Sequence, residues 1–146
     1  MVTLAFGRDV HVEGASRSAL SGGFADIAPL LSGADRAMVN LETAVTERGT
    51  PAPGKAFHFR ALASASAARL PVLGIGQDAD AAFAARVFTV KGQRIAFLGA
   101  TQVLDDNLAA AWTARPGKPG LASAKDEARL VEAVRSARQS ADTVVV

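Results

Sequence analysis

The sequence predicts an α/β fold, a mixed β-sheet with flanking helices, and three observations carry that expectation. Apolar runs of strand length recur at Val2 to Phe6, Ala37 to Leu41, Arg86 to Val90, Arg94 to Gly99 and Thr143-Val-Val-Val. Segments of helical spacing lie between them, the clearest being Ser123 to Ser140. The composition, 49% hydrophobic and 21% charged over 146 residues, is that of one globular domain with a hydrophobic core, so residues 1–146 are expected to form a single domain.

The first run ends at Gly7 and reads as a buried strand that delivers Asp9 and His11 to the loop at its carboxyl end. A short or kinked helix follows over about Gly23 to Leu31, with Phe24, Ile27, Leu30 and Leu31 on one face and Pro29 inside it. Ala37 to Leu41 is the second strand, with Asn40 and Glu42 at its end. Thr50 to Gly54 is a loop by its prolines and glycine, Phe57-His58-Phe59 alternates as a strand does, and the alanine-rich Ala61 to Arg69 is helical.

Leu70 to Ile75 reads as a strand, and Asp78 to Ala85 as a short helix opened by its aspartate. Lys91-Gly92-Gln93 turns Arg86 to Val90 into Arg94 to Gly99, making a hairpin. Asp105 to Gly120, with two prolines and two glycines, is expected to be mostly loop. The amphipathic helix Ser123 to Ser140 then precedes the terminal valine strand.

Charge and composition exclude several functions. Sixteen Lys and Arg against 14 Asp and Glu leave a net +2, scattered along the chain, so nucleic acid is not an expected partner. With no cysteine, thiolate metal sites and thiol catalysis are excluded, and oxygen and imidazole remain as ligands. The opening MVTLAFGRD is not a secretory leader and no run reaches a membrane span's length, so a cytoplasmic protein is expected.

Two short motifs carry the candidate chemistry. Asp9-x-His11 sets a carboxylate and an imidazole two residues apart beyond one strand. Asn40-Leu-Glu42 sets an amide oxygen and a second carboxylate beyond another. If the two strand ends converge, Asp9, His11, Asn40 and Glu42 make a ligand set for a hard divalent ion such as Mn²⁺ or Mg²⁺. The plainer reading of each motif is a solvated loop start. Gly74-x-Gly76-x-x-Ala79 matches the dinucleotide fingerprint but lacks the acidic residue about twenty positions on, so a tight strand-to-helix turn is the better reading. His58 and Lys55 read as surface residues, Trp112 as cover for an apolar patch, and the serines of Ala63 to Ala67 have no histidine to activate them.

Taken together, TLAFGRDVHVEG (Thr3 to Gly14) and SGADRAMVNLETAVTERGTPAPGKAFHFR (Ser32 to Arg60) resemble the opening and second motifs of the CapA-type poly-gamma-glutamate capsule biosynthesis family, which is related to metallophosphoesterases. KGQRIAFLGATQVLD and the Pro-Gly loop through Gly120 resemble that family's later hairpin and loop, so the likeness covers most of the chain. The resemblance implies part of a calcineurin-like metallophosphoesterase sandwich, with Asp9 as a metal ligand and Glu42 in the metal-bridging region. A complete homologue would hold two ions, acting on a phosphate ester or an anionic polymer. The chain departs from the pattern in three places. Arg8 stands where a glycine is expected, the Asn-Asn-His motif expected after Ala61 to Arg69 is missing, and Val146 precedes the family's later histidine motifs. The expected protein is therefore an incomplete domain with a partial divalent-metal site, prone to self-association through an exposed sheet. The alternative is a non-catalytic remnant or interaction module of the same fold.

Overall fold

A computed structural model describes residues 1–10, 27–45, 49–51, 53–54, 60–61 and 71–146. The protein is α/β, as expected, and divides into two compact units, Met1–Leu70 and Pro71–Val146.

In the first unit, β1 (Leu4–Val10) pairs in parallel with β2 (Arg36–Leu41). Their start is pinned by Asp35, whose carboxylate accepts from the Thr3 N–H at 2.8 Å while its own N–H donates to the Thr3 carbonyl at 3.0 Å. Between the strands lies α1 (Ala28–Ser32), short as expected, with Pro29 in its first turn, where a missing N–H leaves no hydrogen bond unmade. The expected start of this helix, from Gly23, lies outside the described residues.

The strand β1 runs beyond Gly7, correcting the expectation of a loop there. Leu4 to Gly7 pair with Arg36 to Val39, and Val10 then pairs with Leu41, so a bulge in β1 absorbs one residue and keeps the ladder going. A further pair, β3 (Ala44–Val45) and β4 (Arg60–Ala61), is also parallel. Ala61 thus belongs to a strand, not to the first turn of a helix; the rest of that expected helix, and Phe57 to Phe59, lie outside the described residues. None of the residues 1–10, 27–44, 49–51 and 53–54 is buried, and Phe6 and Leu30 are 59% and 75% exposed.

The second unit holds the core. Its central sheet runs β6 (Arg86–Val90), β7 (Gln93–Phe97), β9 (Thr143–Val145), with the first pair antiparallel and the second parallel. Lys91 and Gly92, at φ 50° and 80°, form the two-residue turn whose twist suits a hairpin. The helix α4 (Glu127–Ser140) is capped by Asp126, which accepts from the Arg129 N–H at 3.1 Å. It lays Ala137 on Ala96 and Leu98 of the sheet side, and Leu130 and Ala133 on a second cluster of Ala79, Ala82, Phe83, Ala114 and Ala122.

Around this frame, β5 (Ile75–Gly76) pairs antiparallel with β8 (Gly120–Leu121), and α2 (Ala79–Ala82) begins at Asp78, which accepts from the Ala81 N–H at 2.8 Å. The strand expected over Leu70 to Ile75 is, among the described residues, confined to Ile75, where β5 begins after Gly74 at φ 76° breaks the extended backbone. The segment expected to be mostly loop contains α3 (Asp106–Trp112). Its Asp-Asn-Leu-Ala-Ala-Ala-Trp sequence has an acidic first turn and good helix formers. Its far end is held by Lys118, whose ammonium donates to the carbonyls of Ala110 at 2.6 Å, Ala111 at 2.8 Å and Thr113 at 3.2 Å. The prolines and glycines that suggested loop build the turn that brings Lys118 back.

Two expectations for stability follow. A Cβ at Gly76 would overlap the backbone of Ala81 and Ala82, so Gly76→Ala should destabilise the protein by about 2 kcal/mol in a denaturant titration, with no change in the binding of adenine nucleotides. Asp142 accepts from both the Arg94 guanidinium and the Arg94 N–H at 2.8 Å, and the side-chain bond first, then the backbone bond, hold its carboxyl below the usual aspartate range. A carboxyl whose pKa is lowered by folding favours the folded state above its unfolded pKa, and this advantage fades as the pH drops below about 4. Asp142→Asn should accordingly flatten the acid limb of the unfolding midpoint against pH.

Candidate functional site

The candidate residues sit where the bulge lies. Two residues of β1, Arg8 and Asp9, face one residue of β2, Asn40, between the Gly7–Val39 and Val10–Leu41 pairs. Consecutive strand residues ordinarily alternate between faces, and a bulge interrupts that alternation and re-aims a side chain. Here the Asn40 amide donates to Asp9 Oδ1 at 2.5 Å. Beyond the bulge the ladder resumes, with the Glu42 N–H donating to the Val10 carbonyl at 2.9 Å, which fixes the backbone of Glu42 one residue past the end of β2.

Asp9 and Asn40 are therefore brought together directly, and Glu42 is anchored to the same pair of strands. All three are exposed, as is Arg8. His11 lies outside the described residues, as do His58 and Lys55. Among the described residues, no three acidic or histidine side chains gather into one group.

The atoms left over define what the site can do. Asn40 spends its NH₂ group on Asp9, so its carbonyl oxygen keeps its lone pairs, and Asp9 keeps its second carboxylate oxygen. Both are oxygen acceptors, the atom type hard divalent cations prefer, and Glu42 carries a further carboxylate two residues along the chain from Asn40. Sequence reasoning placed these residues at two strand ends and missed their mutual hydrogen bond. The parallel pairing of two similarly patterned strands was the available signal, but a one-residue bulge leaves no mark in composition.

Elsewhere, Gly76 serves as the tight turn expected of it, since β5 pairs with an antiparallel strand and leads into a four-residue helix packed on its backbone. An open groove in the second unit is lined by Asp80, Phe83, Val87, Arg129, Glu132 and Ser136. Its cation is already engaged, because Arg129 lies over the Phe83 ring at 5.9 Å and pairs with Asp80 at 2.7 Å.

A mixed α/β protein with oxygen donors at the ends of adjacent parallel strands is the class these features define. The chain belongs to the family of bacterial capsule synthesis proteins (PGA_cap), whose model matches residues 3–68 and 61–146. Its role lies in capsule biosynthesis. No curated protein matches the chain. Among the described residues, no helix is long and apolar enough to cross a membrane.

Because the site is exposed, its residues are not needed to hold the fold. Asn40→Ala and Asp9→Ala should each shift the unfolding free energy by less than about 1 kcal/mol in a denaturant titration, the size expected for an exposed neutral-to-charged hydrogen bond.

Proposed function

We propose that this capsule synthesis protein binds a divalent cation, Mn²⁺ or Mg²⁺, through Asp9, Asn40 and Glu42, with His11 as a further ligand, and that its chemistry is of the metallophosphoesterase kind. The observation that carries the reading is the Asn40–Asp9 hydrogen bond across the β1 bulge, which joins the two motifs into one donor set. The oxygen-only chemistry of the described donors fits the ion. When bound, such an ion lowers the pKa of a coordinated water and neutralises charge on a phosphoryl group. The chain's own residues would hold it: Asp9 through the carboxylate oxygen not engaged by Asn40, Asn40 through its amide oxygen, and Glu42 through its carboxylate. The Asn40–Asp9 bond keeps both side chains oriented before the ion arrives, which reduces the ordering cost of binding. The substrate class is a phosphate ester or an anionic polymer such as poly-gamma-glutamate, and the exposed strands favour self-association.

A second reading, a non-catalytic remnant or interaction module of the same fold, is favoured by the departures from the family pattern, Arg8 in place of a glycine and the missing Asn-Asn-His motif. Titration of the full chain with Mn²⁺ by calorimetry separates the two. Under the metal reading, binding is saturable and falls at least tenfold in both Asp9→Ala and Glu42→Ala. Absence of binding in the parent chain would leave the non-catalytic reading.

A further inference from the structure

From the hydrogen bonds around α3 we infer that residues 102–112 form a strap that opens as one piece from the second unit, with the Lys118 ammonium as its latch.

The strap is anchored by main-chain bonds at either end. Before it, the Thr101 N–H donates to the Ala122 carbonyl and the Thr101 carbonyl accepts from the Ala124 N–H, both at 2.9 Å. After it, the Ala114 N–H donates to the Leu121 carbonyl at 2.9 Å. Between these anchors the N–H groups of Leu104, Leu108, Ala109 and Thr113 donate to Gln102, Asp105, Asp105 and Ala109, so these bonds close within the strap and tie it to nothing else. Its buried side chains are Leu104 and Leu108, whereas the neighbouring run Ile95 to Leu98 is buried throughout. A segment with few buried contacts and its own local hydrogen bonds is the kind that opens without the rest of the domain.

Two lysines hold the strap, and they are unequal. Lys125 donates to the Leu104 carbonyl at 3.1 Å and to Asp106 at 3.3 Å, but the Asp106 side chain is fully exposed, where an ion pair contributes little. Lys118 donates to the carbonyls of Ala110, Ala111 and Thr113, groups that a helix end leaves without internal partners. Its backbone is set in advance by a tight turn: the Arg115 N–H donates to the Lys118 carbonyl at 3.1 Å and the Lys118 N–H to the Arg115 carbonyl at 2.9 Å, with Gly117 between them at φ 69°. The latch therefore stays in place when the strap moves. Only the three ammonium bonds and the two leucines have to be released.

The strap follows the carboxyl end of β7, whose Leu98 N–H bonds the Val145 carbonyl of β9. In α/β folds this end of a parallel pair is where ligands enter, and lids there are drawn from the least stable segments.

The test is native-state hydrogen exchange, followed by NMR at several low denaturant concentrations, in the parent, Lys118→Met and Lys118→Arg proteins. In the parent, the amides of Leu108, Ala109 and Thr113 should exchange at least about tenfold faster than those of Ala96 and Leu98, and with little denaturant dependence. Lys118→Met, which keeps the side-chain length and removes the donors, should speed exchange in the strap by a further factor of about ten while leaving β7 and α4 unchanged. Lys118→Arg, which keeps the charge and the donors, should retain part of the protection. Strap amides that exchange at the rate and with the denaturant dependence of β7 in the parent would overturn the separate opening. Strap exchange unaltered by Lys118→Met, or accelerated equally with α4 and β7, would overturn the role of Lys118 as its latch.

Discussion

The second unit depends on one contact, the close packing of α4 on β7 through small side chains. Ala96 is fully buried and Leu98 is 1% exposed, and both lie in the cluster that contains Ala137 and Ala141. Ala133, one turn earlier on α4, touches this cluster and also the one built on Ala79, Ala82 and Phe83. A single helix thus joins two small cores. Alanine at these positions lets helix and sheet approach closely, and burial of many small groups replaces the few large side chains of a richer core. The parallel β7–β9 pairing follows from this arrangement, because α4 lies on the connection and delivers Thr143 directly after Asp142, whose backbone and carboxylate both bond to Arg94.

The first unit is built differently, and the difference suits its proposed chemistry. Residues 1–10 and 27–44 are all partly or fully exposed, so the β1–β2 pairing is sustained by main-chain hydrogen bonds and by Asp35 at its start more than by apolar burial. Asp9, Asn40 and Glu42 therefore remain wet, and a hydrated ion can reach them without a large desolvation cost for the carboxylates. Stability and candidate chemistry are kept apart along the chain. Among the described residues, every buried one lies at or beyond Ala79, whereas every candidate ligand lies before Thr43. The family match has the same division, with the candidate residues in the segment 3–68 and the core in 61–146.

Where local sequence determines structure, the fold was legible. Arg86 to Val90, its Lys91-Gly92 turn, the Asp78 cap, the long helix and the terminal valine strand all rest on patterns of a few residues, and each is present. The failures have a common physical origin in partners distant along the chain. The segment Asp105 to Gly120 read as loop because its prolines and glycines dominate composition, yet α3 forms since Lys118 returns to satisfy its last carbonyls. β1 runs past Gly7 because Leu41 is there to receive Val10, and nothing within Phe6 to Val10 announces that partner. At the site, the residue types were legible and their oxygen chemistry with them. The hydrogen bond between Asp9 and Asn40 was not, since it depends on the register of two strands whose sequences are thirty positions apart.

That register also bears on the electrostatics around the Asp9–Asn40 pair. In an unbulged ladder, Arg8 and Asp9 would face opposite sides of the sheet, and the charge of one would matter little to the function of the other. The extra residue in β1 interrupts that alternation, so Arg8 and Asp9 are no longer held to opposite faces by the ladder. The departure at Arg8 thus adds a charge next to Asp9 along the chain without removing any oxygen of the Asp9–Asn40 pair.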